Sequence, residues 1–218
     1  MYEIEVKSLL GTQERADELR KKLIAQGGVL EGSNSQLNHY FKGTTESIFD
    51  KMKDIIMDGV EDLQNILTKG ENHSVRTRKK DDDVILVVKA SIDDGTSENA
   101  VSRMEYETKV PLSIEELDNC LLNAGMECQA WWSRDREEYT YKDLVITLDK
   151  NAGYGWLSEF EKVVTDEAEA EQARAQIISA MKEFDIEELP QDRLERMFSY
   201  YNEHWPEYYG TDKIFIVE

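Results

Sequence analysis

The chain is 218 residues long and carries 46 acidic against 26 basic residues, a formal charge of −20. That length suits one domain with a core of its own, and so negative a surface repels polyanions, which excludes general binding to nucleic acid or anionic membranes. Its two cysteines, Cys120 and Cys128, supply neither a disulfide framework nor a metal knuckle. With no signal-like N-terminus and no long apolar run, the expectation is a cytoplasmic protein with no membrane partner.

Residues Tyr2 to Leu9 alternate Glu3, Glu5 and Lys7 with Ile4 and Val6, the period of a strand. From Thr12 the apolar residues Ala16, Leu19, Leu23 and Ile24 fall at helical spacing, and Gly27-Gly28 closes that helix. A short strand is expected around Gln36–Phe41. Residues 44–69 then place Ile48, Met52, Ile55, Ile56, Leu63 and Ile66 on one broad helical face that ends at Gly70. Strands follow at His73–Lys79, Val84–Ala90 and Val101–Val110, separated by polar turns at Lys80–Asp83 and Ser91–Asn99, as in a meander of hairpins.

Ser113 and Glu116 have capping-box spacing and open a helix to about Asn123. Further strands are expected at Gln129–Tyr141, Leu144–Asp149 and Leu157–Val164. Helices are expected from about Asp166 to Phe184 and, after Pro190, from Gln191 to His204. The tail from Trp205 to Glu218 carries Ile214, Phe215 and Val217 and reads as a docking extended segment. With no repeat and no linker, residues 1–218 read as a single domain with a helical insertion at about 43–72 and C-terminal helices at about 166–204.

The informative feature is a set of strands whose polar face is ionised. Glu3, Glu5 and Lys7 share a face, as do Arg76 and Arg78, Arg103, Glu105 and Glu107, Arg134 and Arg136, and Glu159 and Glu161. Lys89 and Asp149 lie on strands otherwise rich in apolar residues. On any one strand such charge is most simply the wet face of an antiparallel sheet. On strands scattered over 160 residues, however, Arg-x-Arg occurs twice and Glu-x-Glu three times, and a solvated face has no reason to group charges so. Guanidinium forks suit phosphate oxygens, and paired carboxylates suit hard cations such as Mg²⁺ or Mn²⁺. The three histidines, His39, His73 and His204, lack zinc spacing, and the four tryptophans read as packing residues.

In order along the chain, these elements resemble the CYTH domain, the triphosphate tunnel metalloenzymes that include class IV adenylate cyclases and thiamine triphosphatases. The resemblance is carried by Glu3-Ile4-Glu5-Val6-Lys7, Arg76-Thr77-Arg78, Lys89, Arg103-Met104-Glu105-Tyr106-Glu107, Arg134-Asp135-Arg136, Asp149 and the stretch Gly155 to Glu161, with Leu157 where the family has Phe. It implies an α+β fold, a closed eight-stranded antiparallel β-barrel with helices packed outside. It further implies that Glu3, Glu5, Asp149, Glu159 and Glu161, with Glu107 as a further acid, bind one or two Mg²⁺ or Mn²⁺ ions. Lys7, Arg76, Arg78, Lys89, Arg103 and Arg136, with Arg134 as a less direct member, would hold a triphosphate.

The insertion at 43–72 is longer than a minimal member of the family needs; it is expected to brace the barrel, with a partner surface or homodimer contact as the alternative. The expected function is metal-dependent hydrolysis of a small triphosphate: inorganic triphosphate, thiamine triphosphate or a nucleoside triphosphate. The first alternative is a class IV cyclase making cyclic AMP and pyrophosphate from ATP, although Met1-Tyr2 stands where cyclases carry a His-Phe leader. The second is a non-catalytic triphosphate or polyphosphate binder, disfavoured because burying carboxylates beside phosphate gains an anion binder little.

Overall fold

The computed structural model describes residues 2–91 and 103–217, and for Tyr2, Arg103 and Glu167 the backbone alone. In chain order its elements are β1 (Tyr2–Gly11), α1 (Gln13–Ala25), β2 (Val29–Lys42), α2 (Ile48–Met52), α3 (Val60–Lys69), β3 (Glu71–Lys80), β4 (Asp83–Ser91) and β5 (Arg103–Lys109). They continue with α4 (Ile114–Asn123), β6 (Glu127–Tyr141), β7 (Leu144–Asn151), β8 (Gly155–Val164), a 3₁₀ turn at Glu167–Glu169, α5 (Ala170–Glu183) and α6 (Gln191–Tyr208). Residues 92–102, which include most of the expected turn Ser91–Asn99 and the first two residues of the expected strand Val101–Val110, lie outside the described residues. No helix is long and apolar enough to cross a membrane among the described residues.

The fold is α+β, with eight antiparallel strands in one sheet in the order β1-β8-β7-β6-β2-β3-β4-β5. The expected closed barrel is corrected: among the described residues the sheet is not closed. Closure needs a last ladder between the end strands, and here β1 and β5 are the two ends of the hydrogen-bonded order. The chain divides into two compact units, Met1–Ser35 with Ser133–Glu218, and Gln36–Trp132.

In the first unit, strand alternation separates core from charge. Ile4, Val6 and Leu10 of β1, Ile146 and Leu148 of β7, and Phe160 of β8 are buried in one core with Leu19 and Leu23 of α1 and Ile177 and Met181 of α5. At about 25 cal/mol per Å² of buried apolar surface, this layer of aliphatic side chains is the main stabilising term of the unit. Arg20 of α1 reaches the same side of β6, donating from Nε and Nη2 to Glu137 at 2.8 Å each, with its guanidinium over the Trp156 ring.

Helix α6 continues through Pro206 to Tyr208, four residues beyond the expected end, with Tyr209 N still donating to Trp205 O at 2.9 Å. The tail then docks as expected in extended form: Gly153 N donates to Lys213 O at 3.0 Å and Phe215 N to Gly153 O at 2.8 Å. The Phe215 ring packs edge-on against Tyr154 and Tyr208. Gly153 has φ +82°, and a Cβ there would lie 2.7 Å from Tyr201 Cδ2 and 2.8 Å from Phe215 Cε1. Gly153→Ala is therefore expected to lower stability by about 2–4 kcal/mol, combining backbone strain with overpacking. A urea midpoint equal to that of the wild type would show that the tail is not held this way.

In the second unit the apolar face of the sheet, with Val75, Leu86, Val88 and Ala90, is buried against Ile48 and Met52 of α2, Leu63 and Ile66 of α3, and Leu117 and Leu121 of α4. The apolar run at 44–69 forms two helices: α2 ends at Met52, and α3 starts only after Gly59, whose φ of +71° no α-helical residue adopts. A Cβ at Gly59 would stand 3.0 Å from the Tyr106 ring. The capping box of α4 is formed on both sides, with Glu116 N donating to Ser113 Oγ at 3.2 Å and Ser113 N to Glu116 Oε2 at 2.7 Å.

Candidate functional site

Each unit turns one ionised strand face away from its helix-covered core. In the first unit, β1 opposes β8 so that Glu5 faces Glu161 and Lys7 faces Glu159. β8 opposes β7 with Glu161 against Val145, Glu159 against Thr147 and Leu157 against Asp149. β7 in turn sets Asp149 against Arg136. Because directly opposed residues of antiparallel strands project to the same side, this register brings Glu3, Glu5, Lys7, Arg136, Asp149, Glu159 and Glu161 onto one face. Their chain neighbours Ile4, Val6, Leu148 and Phe160 fill the core on the other.

The charges on this face are partly neutralised by one another. Lys7 Nζ lies 2.7 Å from Glu5 Oε1 and 3.4 Å from Glu159 Oε1. Arg136 holds Asp149 in a two-point fork, Nε to Oδ1 at 2.7 Å and Nη2 to Oδ2 at 2.6 Å, and Nη2 also donates to Glu159 Oε2 at 2.7 Å. Arg134 Nη1 donates to the same Asp149 Oδ2 at 2.9 Å, and the Asp149 side chain is only 1% exposed. Burial pulls the Arg136 pKa down, but Glu159 and Asp149 outweigh it and hold the guanidinium above its ordinary value.

The acids outnumber the bases at the other end of this face. The Glu161 carboxyl is pushed up to about 8, first by burial and then by Glu3, which also hydrogen-bonds it, with further repulsion from Glu159 and Glu5. Opposed like charges and lost solvation act together there. Among the described residues, no three His, Cys, Asp or Glu side chains are disposed to hold a metal ion; as placed, Glu5, Glu159 and Asp149 pair with Lys7, Arg134 and Arg136.

In the second unit, β3 sets Arg78 opposite Asn38 and Arg76 opposite Tyr40 of β2. β4 sets Lys89 opposite Glu105, and Val87 opposite Glu107, of β5. Arg76 Nη1 donates to the Tyr40 hydroxyl at 2.9 Å, and its guanidinium lies 4.5 Å from the centre of the same ring. Arg78 donates from Nε to Asn38 Oδ1 at 2.8 Å and from Nη1 to Glu107 Oε1 at 2.5 Å, and Lys89 Nζ lies 2.8 Å from Glu105 Oε2. The Arg103 side chain lies outside the described residues.

Two groups here had not been singled out from sequence: Asn38 and Tyr40, which orient the two arginines; Glu105, read there only as part of the ionised face, holds Lys89. Their signal was alternation: Gln36, Asn38 and Tyr40 occupy every second position of one strand, the rhythm of a common face. What alternation lacked was the partner strand, since only register reveals that Asn38 and Tyr40 meet arginines.

A family model described as CYTH domain matches residues 1–193. A comparison with curated proteins gives no match. Among solved structures, the PH1819 protein from Pyrococcus horikoshii OT3 aligns with a TM-score of 0.63 at 18% identity, over 94% of this chain and 99% of that one. A candidate adenylate cyclase from Vibrio parahaemolyticus aligns with a TM-score of 0.60 at 15% identity, over 91% and 98%. HpAC1 from Hippeastrum, a candidate adenylyl cyclase with a dominant triphosphatase activity, aligns with a TM-score of 0.55 at 16% identity, over 92% and 96%. At these identities the likeness is one of fold.

Proposed function

The chain belongs to the CYTH domain family, whose model spans residues 1–193, and on that footing we propose that it is a divalent-metal-dependent triphosphatase acting on a small-molecule triphosphate. The observation that carries the reading is the Glu161 carboxyl, held at about 8 by burial and by Glu3, Glu159 and Glu5. A strand face that crowds carboxylates until one resists ionisation is poorly balanced alone and is satisfied by a hard cation. The donor set fits Mg²⁺ or Mn²⁺: Glu3, Glu5, Glu159 and Glu161 with Asp149 are all oxygen ligands, and Glu107 is a further carboxylate whose present partner is Arg78.

When bound, the cation supplies Lewis-acid neutralisation of phosphoryl charge. The chain's own cations do the rest of the positioning. Lys7, Arg136, Arg76, Arg78 and Lys89, together with Arg103 and Arg134, are the proposed holders of phosphate oxygens. Most of them already donate to carboxylate or amide oxygens at 2.5–2.9 Å, the geometry that phosphate oxygens would inherit. Asn38 and Tyr40 keep Arg78 and Arg76 from collapsing elsewhere, so less ordering remains to be done on binding. A water then attacks the terminal phosphorus while the guanidinium groups hold the charge spreading over the equatorial oxygens.

The test is to incubate the protein with Mg²⁺ or Mn²⁺ and, separately, inorganic triphosphate, thiamine triphosphate and ATP, following phosphate and cyclic AMP together. The expected result is phosphate release with no cyclic product, abolished by chelator. Cyclic AMP with pyrophosphate would move the chain to the cyclase reading, which the Vibrio parahaemolyticus relative represents. No turnover, with triphosphate still bound, would leave a binding module.

A further inference from the structure

Thr147 stands at the centre of the first unit's ionised face. It is directly opposite Glu159 on β8 and opposite Glu138 on β6, and its neighbours Ile146 and Leu148 point the other way into the core. Its side chain is 3% exposed, and its Oγ1 has no hydrogen-bond partner among the described residues. A buried hydroxyl without a partner carries the full cost of its lost hydration. Valine, which occupies the same face two residues earlier at Val145, has nearly the same shape and avoids that cost.

Resting on the metal-dependent reading above, we propose that the Thr147 hydroxyl is a positioning group for a hydrated divalent cation held by the Glu159 and Glu161 row. Two features of the site favour this assignment. The hydroxyl both donates and accepts, so it serves either a carboxylate oxygen or a water carried by the ion. A neutral oxygen is also the contact this face can still accommodate, since Thr147 stands directly opposite Glu159 and Glu138 on a face that also carries Glu161, where a further negative charge would meet like charges. Mg²⁺ and Mn²⁺ sites characteristically retain waters, which need fixed partners beyond the carboxylates.

The experiment compares wild type with Thr147→Val and Thr147→Ser by Mn²⁺ titration calorimetry and by thermal unfolding in chelator. The Val variant is expected to bind Mn²⁺ about tenfold more weakly while melting in chelator a few degrees higher than wild type, and the Ser variant to bind as wild type does. These opposite signs separate a ligand-facing hydroxyl from a merely structural one. Unchanged Mn²⁺ affinity in the Val variant, or a lower melting point in chelator, would overturn the assignment and leave the metal reading standing. A Ser variant as weak as the Val variant would also overturn it, by placing the effect in packing. A wild type that takes up no Mn²⁺ would overturn the metal reading and this inference together.

Discussion

Replacing Glu161 by Gln is expected to stabilise the metal-free protein at alkaline pH and to abolish metal-dependent turnover. The ordinary value of a glutamate is near 4.5 and the folded one is about 8, so the folded state binds the proton more tightly than the unfolded state. The favourable contribution of protonated Glu161 is complete below pH 4.5 and is lost as pH rises through about 8, with stability falling across that window. A shift of this size on a partly exposed group corresponds to an effect on the order of 2–4 kcal/mol. Glutamine keeps the shape and never ionises, so the gap between variant and wild type should open over the same window. Urea midpoints in chelator at pH 4.5 and pH 8.5 measure it, and using the difference between the two proteins removes the general repulsion of a chain at −20.

Added Mn²⁺ should reverse the order, raising the wild type and leaving the variant nearly unmoved, because binding to the folded state alone stabilises it. The two halves of the result belong together: a carboxylate that costs stability in the free protein is retained for what it binds. A Gln variant no more stable than wild type at pH 8.5, yet fully active, would remove both the electrostatic account and the metal assignment.

Replacing Arg136 by Ala is expected to cost about 3–5 kcal/mol, among the larger effects a single substitution has. Its guanidinium makes three hydrogen bonds, two to Asp149 and one to Glu159. Asp149 is all but excluded from water, so in the variant it keeps, among the described residues, the Arg134 partner alone, and Glu159 keeps the longer pair with Lys7. The loss is mainly that of a buried charge stranded without its fork. Arg136→Ala combined with Asp149→Ala should therefore recover part of the lost stability, and Arg136→Lys should lose the two-point geometry while keeping the charge. A urea midpoint for Arg136→Ala close to wild type would mean that Asp149 is solvated and that the network is not the support described above. Turnover should fall in every one of these variants, including the restored double variant, since stability can be regained there without regaining a phosphate-holding guanidinium.

Sequence alone determined which residues share a strand face, because alternation is a local property. Ile4 and Val6 against Glu3, Glu5 and Lys7 could be read without any partner strand, as could Arg76 with Arg78 and Glu159 with Glu161. Capping chemistry is equally local, and Ser113 and Glu116 marked α4 where it begins. The first half of β2 escaped because Gly32, Ser33, Asn34 and Ser35 carry no apolar rhythm, being largely exposed. The break at Gly59 escaped because an apolar face can persist across two helices. Tertiary structure decided what pairing and register decide: that among the described residues the sheet ends at β1 and β5 without closing, that Glu5 is set against Glu161, and that Asp149 is enclosed by Arg134 and Arg136. A one-residue change in register would have sent every one of those side chains to the opposite face. Ionisation follows from that placement: the shift of Glu161 comes from burial and from Glu3, 158 positions away in sequence, and neither can be read from residue type or spacing.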